Sequence, residues 1–295
     1  MAANVFQIIL ASWKRFNDDR CFTAAIVISY FSLLGLVPLI ALFAFLGGKI
    51  LGNPELIFRS LNIFTDEFFA QMDPAFFPKL QTLGGSLSNL GWFGIIGSLI
   101  AASFLFSNLL TIINRIFRAK YNHSFIYNRL IEYVVMLLIG VFLLLSLSIT
   151  AVWIAFQQLL RQSPVFSGFV NPQAVNVLNS FLFQYLLPFL LTFLMIFILY
   201  KFIPEVRVQT RSALLGAAIT AVFWEIFKRG FAFYAVHFSA VGLVLSKVLA
   251  GTLTSVIFFL LWISSSLVIL LWGAELVAIM NENYELASYH RSQPA

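Results

Sequence analysis

Five stretches of this chain, 21–48, 80–114, 133–160, 162–200 and 248–274, each run for 27 residues or more without a charged side chain. About 20 apolar residues in a helix are enough to cross the hydrocarbon core of a bilayer. A water-soluble domain built around one layered core has no use for so many. A sixth, shorter run, 212–224, leads into Glu225, Lys228 and Arg229. In lipid every backbone N–H and C=O must be paired within the chain, which leaves helices or a closed barrel. The runs here are continuous rather than alternating, and far longer than a barrel strand of about 10 residues. The expected architecture is an all-α membrane protein, a bundle of about six transmembrane helices forming a single polytopic domain over residues 1–295.

Composition agrees: 61% of residues are hydrophobic and only 10% charged, which excludes an ordinary soluble domain and a disordered chain. The first run extends for about 24 residues after Arg20 without a small-x-small cleavage site, too long for a signal-peptide core, so it reads as a retained span. Cys21 is the one cysteine, so an intrachain disulfide is excluded. His123, His237 and His290 are widely separated in sequence.

The spans are placed at 23–46, 92–113, 130–157, 177–200, 213–234 and 254–278. With them fixed, 11 Lys and Arg residues fall on one side and 5 on the other. The positive-inside rule then sets both termini in the cytoplasm, N-in and C-in. The same bias explains the net charge of +6 without nucleic acid. Before the first span, Val5, Ile9, Trp13 and Phe16 recur at helical spacing beside Lys14 and Arg15, the pattern of a helix lying flat at the cytoplasmic interface. The outer loop 48–91 carries Ile57, Leu61, Phe64, Phe68 and Met72 at three- and four-residue spacing before Pro74 and Pro78, and is expected to form amphipathic helices. Small residues at Ala213, Ala217 and Ala221, and at Gly94, Ser98 and Ala102, mark faces for close helix contact.

The segment 202–235, FIPEVRVQTRSALLGAAITAVFWEIFKRGFAFYA, carries Pro204, Arg207, Gly216, Glu225, Lys228, Phe231 and Tyr234 in an arrangement that resembles the signature of the YihY/BrkB family of bacterial inner-membrane proteins. The run SYFSLLGLVPL with Tyr30 and Pro38, the pair Asn114 and Arg118, and Trp262 followed by Gly273-Ala274-Glu275 extend the resemblance over residues 10–282. The chain departs from many members at Gly35 and at Ser246-Lys247, so no family role is carried to those positions. The resemblance implies six spans with both termini inside. It supplies no reaction: members once carried a ribonuclease BN label, now considered mistaken, and some are connected with serum resistance or export of lipopolysaccharide precursors.

The residues themselves offer two candidate sites. Glu225, Lys228 and Arg229 lie at i, i+3 and i+4 of one helix, so the acid faces both bases. Lone charges at membrane depth are costly, by at least about 2.5–3.5 kcal/mol, and self-pairing lowers that cost. The trio is either a helix-end ion pair or a cationic substrate site for an anionic headgroup, with Glu225 as counter-charge. Glu275, near the cytoplasmic end of the last span, is expected to pair with Arg118 or Arg207, or to act with Pro38 in gating or ion coupling. Pro38 and Pro188 are expected to kink their spans. Ser103, Ser107, Asn108 and Thr111 share much of one face and suit hydrogen bonds between helices.

A nuclease needs clustered metal ligands or acid–base pairs, and the sequence offers none. No GxxxxGK[ST] loop is present for an ATP-driven pump, and no arginine-rich span for voltage sensing. The expectation is a non-enzyme without cofactor or metal. It would be a transporter or lipid-handling protein for an anionic amphipathic substrate, or a non-transporting scaffold of an envelope complex. Its expected partners are anionic membrane lipids, with self-association or envelope proteins left open.

Overall fold

The computed structural model describes residues 5–35, 92–119, 130–131, 133–135, 186–237 and 240–292. Among these, every regular element is helical. They are α1 (Val5–Asp18), α2 (Cys21–Gly35), α3 (Trp92–Ile116), α4 (Leu187–Phe202), α5 (Thr210–His237) and α6 (Ala240–Ser292). Among the described residues, two segments are long and apolar enough to cross a membrane, Thr210–Phe231 and Val256–Tyr284, and Cys21–Gly35 and Phe189–Phe202 are shorter apolar helices. The outer loop 48–91, Pro38 and all of span three except 130–131 and 133–135 lie outside the described residues.

One sequence boundary moves. The last helix is not confined to 254–278: it runs unbroken for 53 residues, so Lys247 lies on a helix rather than in a loop. At 1.5 Å per residue that is about 80 Å, well beyond a bilayer's thickness. Pro188 stands at the start of the described part of α4, and the kink expected there in the span 177–200 falls partly outside the described residues.

The core forms where α4, α5 and α6 meet. Ala213, Ala217 and Ala221 are fully buried, as the small-residue spacing predicted, together with Thr220 on the same face of α5. Close approach is enforced by two glycines. A side chain at Gly216 would overlap Val277 of α6, and one at Gly273 would overlap Thr220 and the Tyr200 hydroxyl. That hydroxyl donates to the Leu270 carbonyl at 2.6 Å, while Thr220 Oγ1 donates back to Gly216 at 2.8 Å. On α5, Leu214, Leu215, Val222 and Ile226 stay exposed. A bundle in water would hide such a surface; in hydrocarbon it is the lipid-facing side.

Helix α1 behaves as the amphipathic pattern requires, with one refinement. Ser12 and Phe16 are buried against the bundle, whereas Ile9, Leu10 and Trp13 are exposed. The apolar stripe is therefore split between a protein-facing edge and a free edge suited to the membrane interface. Ser103 and Asn108 donate to the Ile100 and Phe104 carbonyls of their own helix α3, at 2.8 and 2.7 Å.

Candidate functional site

Helix ends create the charged junction at one end of this bundle. α3 stops at Ile116 in a Schellman arrangement. Ala119 N–H donates to the Asn114 carbonyl at 2.9 Å and Arg118 N–H to the Arg115 carbonyl at 3.0 Å, with Arg118 left-handed at φ 55°. α1 stops at Asp18 and reverses into α2 through Arg20, also left-handed at φ 53°. Both are positions that glycine normally fills, so each arginine carries a backbone cost of roughly 1–2 kcal/mol. At one of the two, the side chain has a visible use: Arg118 Nη2 reaches both oxygens of Asp19 at 3.2 Å.

Arg15 is the centre of the junction. Its two Nη atoms fork onto Glu282 at 2.9 Å each, its Nε lies 3.2 Å from Glu275, and Nη2 also donates to the Ile116 carbonyl at 3.1 Å. That last bond caps an end carbonyl of α3. Burial opposes the Arg15 charge, but the Glu282 hydrogen bonds and the charges of Glu282, Glu275 and Asp19 outweigh it and hold the guanidinium above its ordinary value. Glu275 itself is fully buried and accepts from Cys21 Sγ at 3.6 Å. Beside the junction an open depression of about 430 Å³ is lined by Ala11, Lys14, Arg15, Asp18, Arg118 and Glu282.

This corrects the sequence assignment of Glu275. Its cationic partner is Arg15, not Arg118 or Arg207. The reason is geometric. Docking of α1 across α6 brings Arg15 to the acid, while the αL turn after α3 sends Arg118 to Asp19. Asp19 and Glu282 were not singled out from the sequence, and Arg15 was read only as an interfacial base, although Glu275 and Glu282 are seven residues apart and so share a helix face.

Two asparagines pin the connection between α4 and α5 to the same end. Asn114 accepts from the Glu205 backbone N–H at 2.9 Å and donates to the Glu205 carboxylate at 3.4 Å. Asn281 accepts from Gln209 N–H at 2.8 Å and donates to the Arg207 carbonyl at 3.3 Å. Lys201 closes the turn by donating to the Val208 carbonyl.

The trio on α5 is the other candidate. Glu225 and Lys228 are brought together, Oε1 to Nζ at 2.5 Å, both mostly shielded with side chains 17% and 14% exposed. Arg229 lies on the exposed side of the helix. From Thr210, Glu225 is 15 residues along α5, about 22 Å at helical rise, so the pair lies past the midplane, toward the far end of the apolar segment Thr210–Phe231. Next to it Trp262 of α6 is buried under Phe227 and Phe231, with ring centroids 5.2 and 4.9 Å away. Lys228 lies within one helical turn of these rings, so the cation borders an aromatic seam. No group of three or more potential metal-ligating side chains occurs among the described residues.

Comparison with known proteins places this geometry in a family. Residues 12–295 match the family described as Virulence factor BrkB. A UPF0761 membrane protein of Pseudoalteromonas translucida is 28% identical over 279 residues, covering 92% of this chain and 85% of its own length. One from Acinetobacter baylyi is 28% identical over 285 residues, covering 97% of this chain and 63% of its own length. One from Xanthomonas campestris is 29% identical over 279 residues, covering 91% and 59%. No solved structure matches the chain. With the family match spanning nearly the whole chain and apolar helices carrying lipid-suited faces, the protein belongs to the BrkB family of membrane proteins.

Proposed function

We propose that this is a six-span inner-membrane protein, one polytopic domain over residues 1–295 with both termini cytoplasmic, that binds and moves an anionic amphipathic lipid and catalyses no reaction. The observation that carries this reading is the Glu225–Lys228 pair, mostly shielded although it lies on an apolar helix, past the midplane of the segment Thr210–Phe231. A purely structural role is served better by apolar side chains, because two desolvated charges seldom repay their desolvation. A cation with a neighbouring acid has a use when an anion arrives. Lys228 can turn from Glu225 to a phosphate or carboxylate, and the aromatic seam of Trp262, Phe227 and Phe231 offers apolar surface for an acyl chain. Arg229, on the exposed side, adds a second positive charge at the membrane-facing surface.

Native mass spectrometry of the purified protein tests this by comparing bound lipids in the wild type and Lys228→Ala. A charge-assisted hydrogen bond contributes about 1.5–3 kcal/mol, so the variant should retain roughly a tenth or less of the anionic lipid held by the wild type. Equal and nonselective lipid in both proteins would overturn the reading and favour a scaffold.

A further inference from the structure

The depression beside Arg15 lies at the end of the bundle where α5 starts, well away from Lys228. Ala11, Lys14, Arg15 and Asp18 form one wall from α1, and Arg118 and Glu282 close it from the end of α3 and from α6. The spacing i, i+3, i+4 and i+7 puts the four α1 residues on one face. Its charges are unevenly engaged. Arg15 is committed to Glu282, Glu275 and the Ile116 carbonyl. Arg118 uses only Nη2, on Asp19, and its side chain is more than half exposed. Lys14 and Asp18 have no ion-pair partner among the described residues, not even each other, although they lie at i, i+4. Base before acid is the weaker order for such a pair. Asp18 also stands in the last turn of α1, where the helix dipole disfavours an acid, so helix stability does not account for it. Glu282, half exposed, keeps lone pairs beyond its two bonds to Arg15.

The depression therefore offers donors at Lys14 and Arg118 and acceptors at Asp18 and Glu282, and this mixture selects the class of ligand. Counting the lining with its ion-pair partners Asp19 and Glu275, three bases meet four acids. A purely anionic headgroup would add negative charge where bases are already outnumbered, and a purely cationic one would face Lys14, Arg15 and Arg118. A zwitterion brings no net charge and satisfies both sets, with phosphate on Lys14 and Arg118 and ammonium on Asp18 and Glu282. Position selects a lipid over a solute. At about 100° per residue, Lys14 is only about 40° around α1 from Leu10, which with Ile9 and Trp13 forms the exposed apolar edge. The rim of the depression thus continues into the edge suited to the membrane interface.

We propose that this depression seats the headgroup of a zwitterionic phospholipid, one ending in a primary ammonium, whose acyl chains descend past Leu10 and Trp13. A primary ammonium donates three hydrogen bonds and a quaternary one donates none, so Asp18 and Glu282 discriminate between them. The bound lipid ties α1 to the bilayer surface. Anionic lipid held at Lys228 does not enter the comparison of these two zwitterions, so the two sites can fail separately.

Native mass spectrometry of the full chain tests it, with equal amounts of phosphatidylethanolamine, phosphatidylcholine and phosphatidylglycerol of one acyl composition offered together. The wild type should retain phosphatidylethanolamine over phosphatidylcholine by roughly three- to tenfold. Asp18→Asn should erase that preference, and Lys14→Gln should lower retention of both zwitterionic lipids. Both side chains are exposed, so neither change threatens the fold. Equal retention of the ethanolamine and choline lipids by the wild type, or a preference that survives Asp18→Asn, would overturn the proposal. Loss of phosphatidylglycerol rather than phosphatidylethanolamine in Lys14→Gln would make the site an anionic one, with the same consequence. Displacement of the bound lipid by free phosphoethanolamine would make a soluble zwitterion the ligand and overturn the assignment to lipid.

Discussion

Arg15 joins three attachments on two other helices, and what each contributes depends on burial rather than on distance. The fork on Glu282 is short, but that acid is half exposed, so Glu282→Ala should cost no more than about 1 kcal/mol. The Glu275 contact is longer and matters more. Arg15→Ala leaves a buried carboxylate without its cation, a loss of roughly 3–5 kcal/mol when one partner of a buried pair is removed. The chain supplies its own reporter in Cys21, its single cysteine, which is 1% exposed beneath this contact. In native membranes Cys21 of the wild type should resist a maleimide reagent and Cys21 of Arg15→Ala should react readily. Arg15→Lys should fall between, because an ammonium supplies one point charge and cannot fork onto Glu282 while reaching Glu275 and Ile116. Equal protection in all three proteins would show that Arg15 does not hold α1 in place.

Between elements, the closeness of α4, α5 and α6 rests on Gly216 and Gly273, and the consequence is measurable. Gly273→Ala drives a methyl into Thr220 and Tyr200, and overpacking of this kind typically costs about 1–3 kcal/mol. Thr220→Ala opens space beside the new methyl. The double variant should therefore recover part of the thermal stability lost by Gly273→Ala, and strict additivity of the two losses would contradict the packing described. This seam was readable in the sequence, because small residues repeated at helical spacing on α5 have few other uses in lipid. The two segments long and apolar enough to cross a membrane, Thr210–Phe231 and Val256–Tyr284, were readable for a related reason: hydrocarbon demands long uncharged runs. The length of α6 was not, since a helix that continues into water has no need of an apolar run, and Lys247 there looked like a loop charge. Nor was the partner of Glu275. Arg15 lies 260 positions away, and only the docking of α1, set by Ser12 and Phe16, selects it over the basic residues nearer the end of α3.

Across the whole molecule, sidedness follows from which ends are tied together. Arg15 near the end of α1 reaches the last turn of α3 and the C-terminal part of α6. Asn114 ties that same end of α3 to the α4–α5 connection, and Asn281 ties α6 to it again. These bonds cannot stretch across a bilayer of about 30 Å of hydrocarbon, so all the joined ends share one side. α1 is joined there through its last turn, and its free edge of Ile9, Leu10 and Trp13 suits the interface, so the N-terminus belongs to that side too. α6 runs on past Asn281 to Ser292 from the same junction, which sends the C-terminus there as well. The basic residues Lys14, Arg15, Arg115, Arg118, Lys201, Arg207 and Arg211 cluster at or beside this end, and in the proposed orientation it is the cytoplasmic one, as the positive-inside rule would have it. Epitope tags at the two termini should then behave alike. Both should be protected from added protease in intact spheroplasts and both removed in inverted vesicles. One tag cleaved in spheroplasts while the other is spared would require an odd number of crossings, and would break the link between the polar junction and a single face of the membrane.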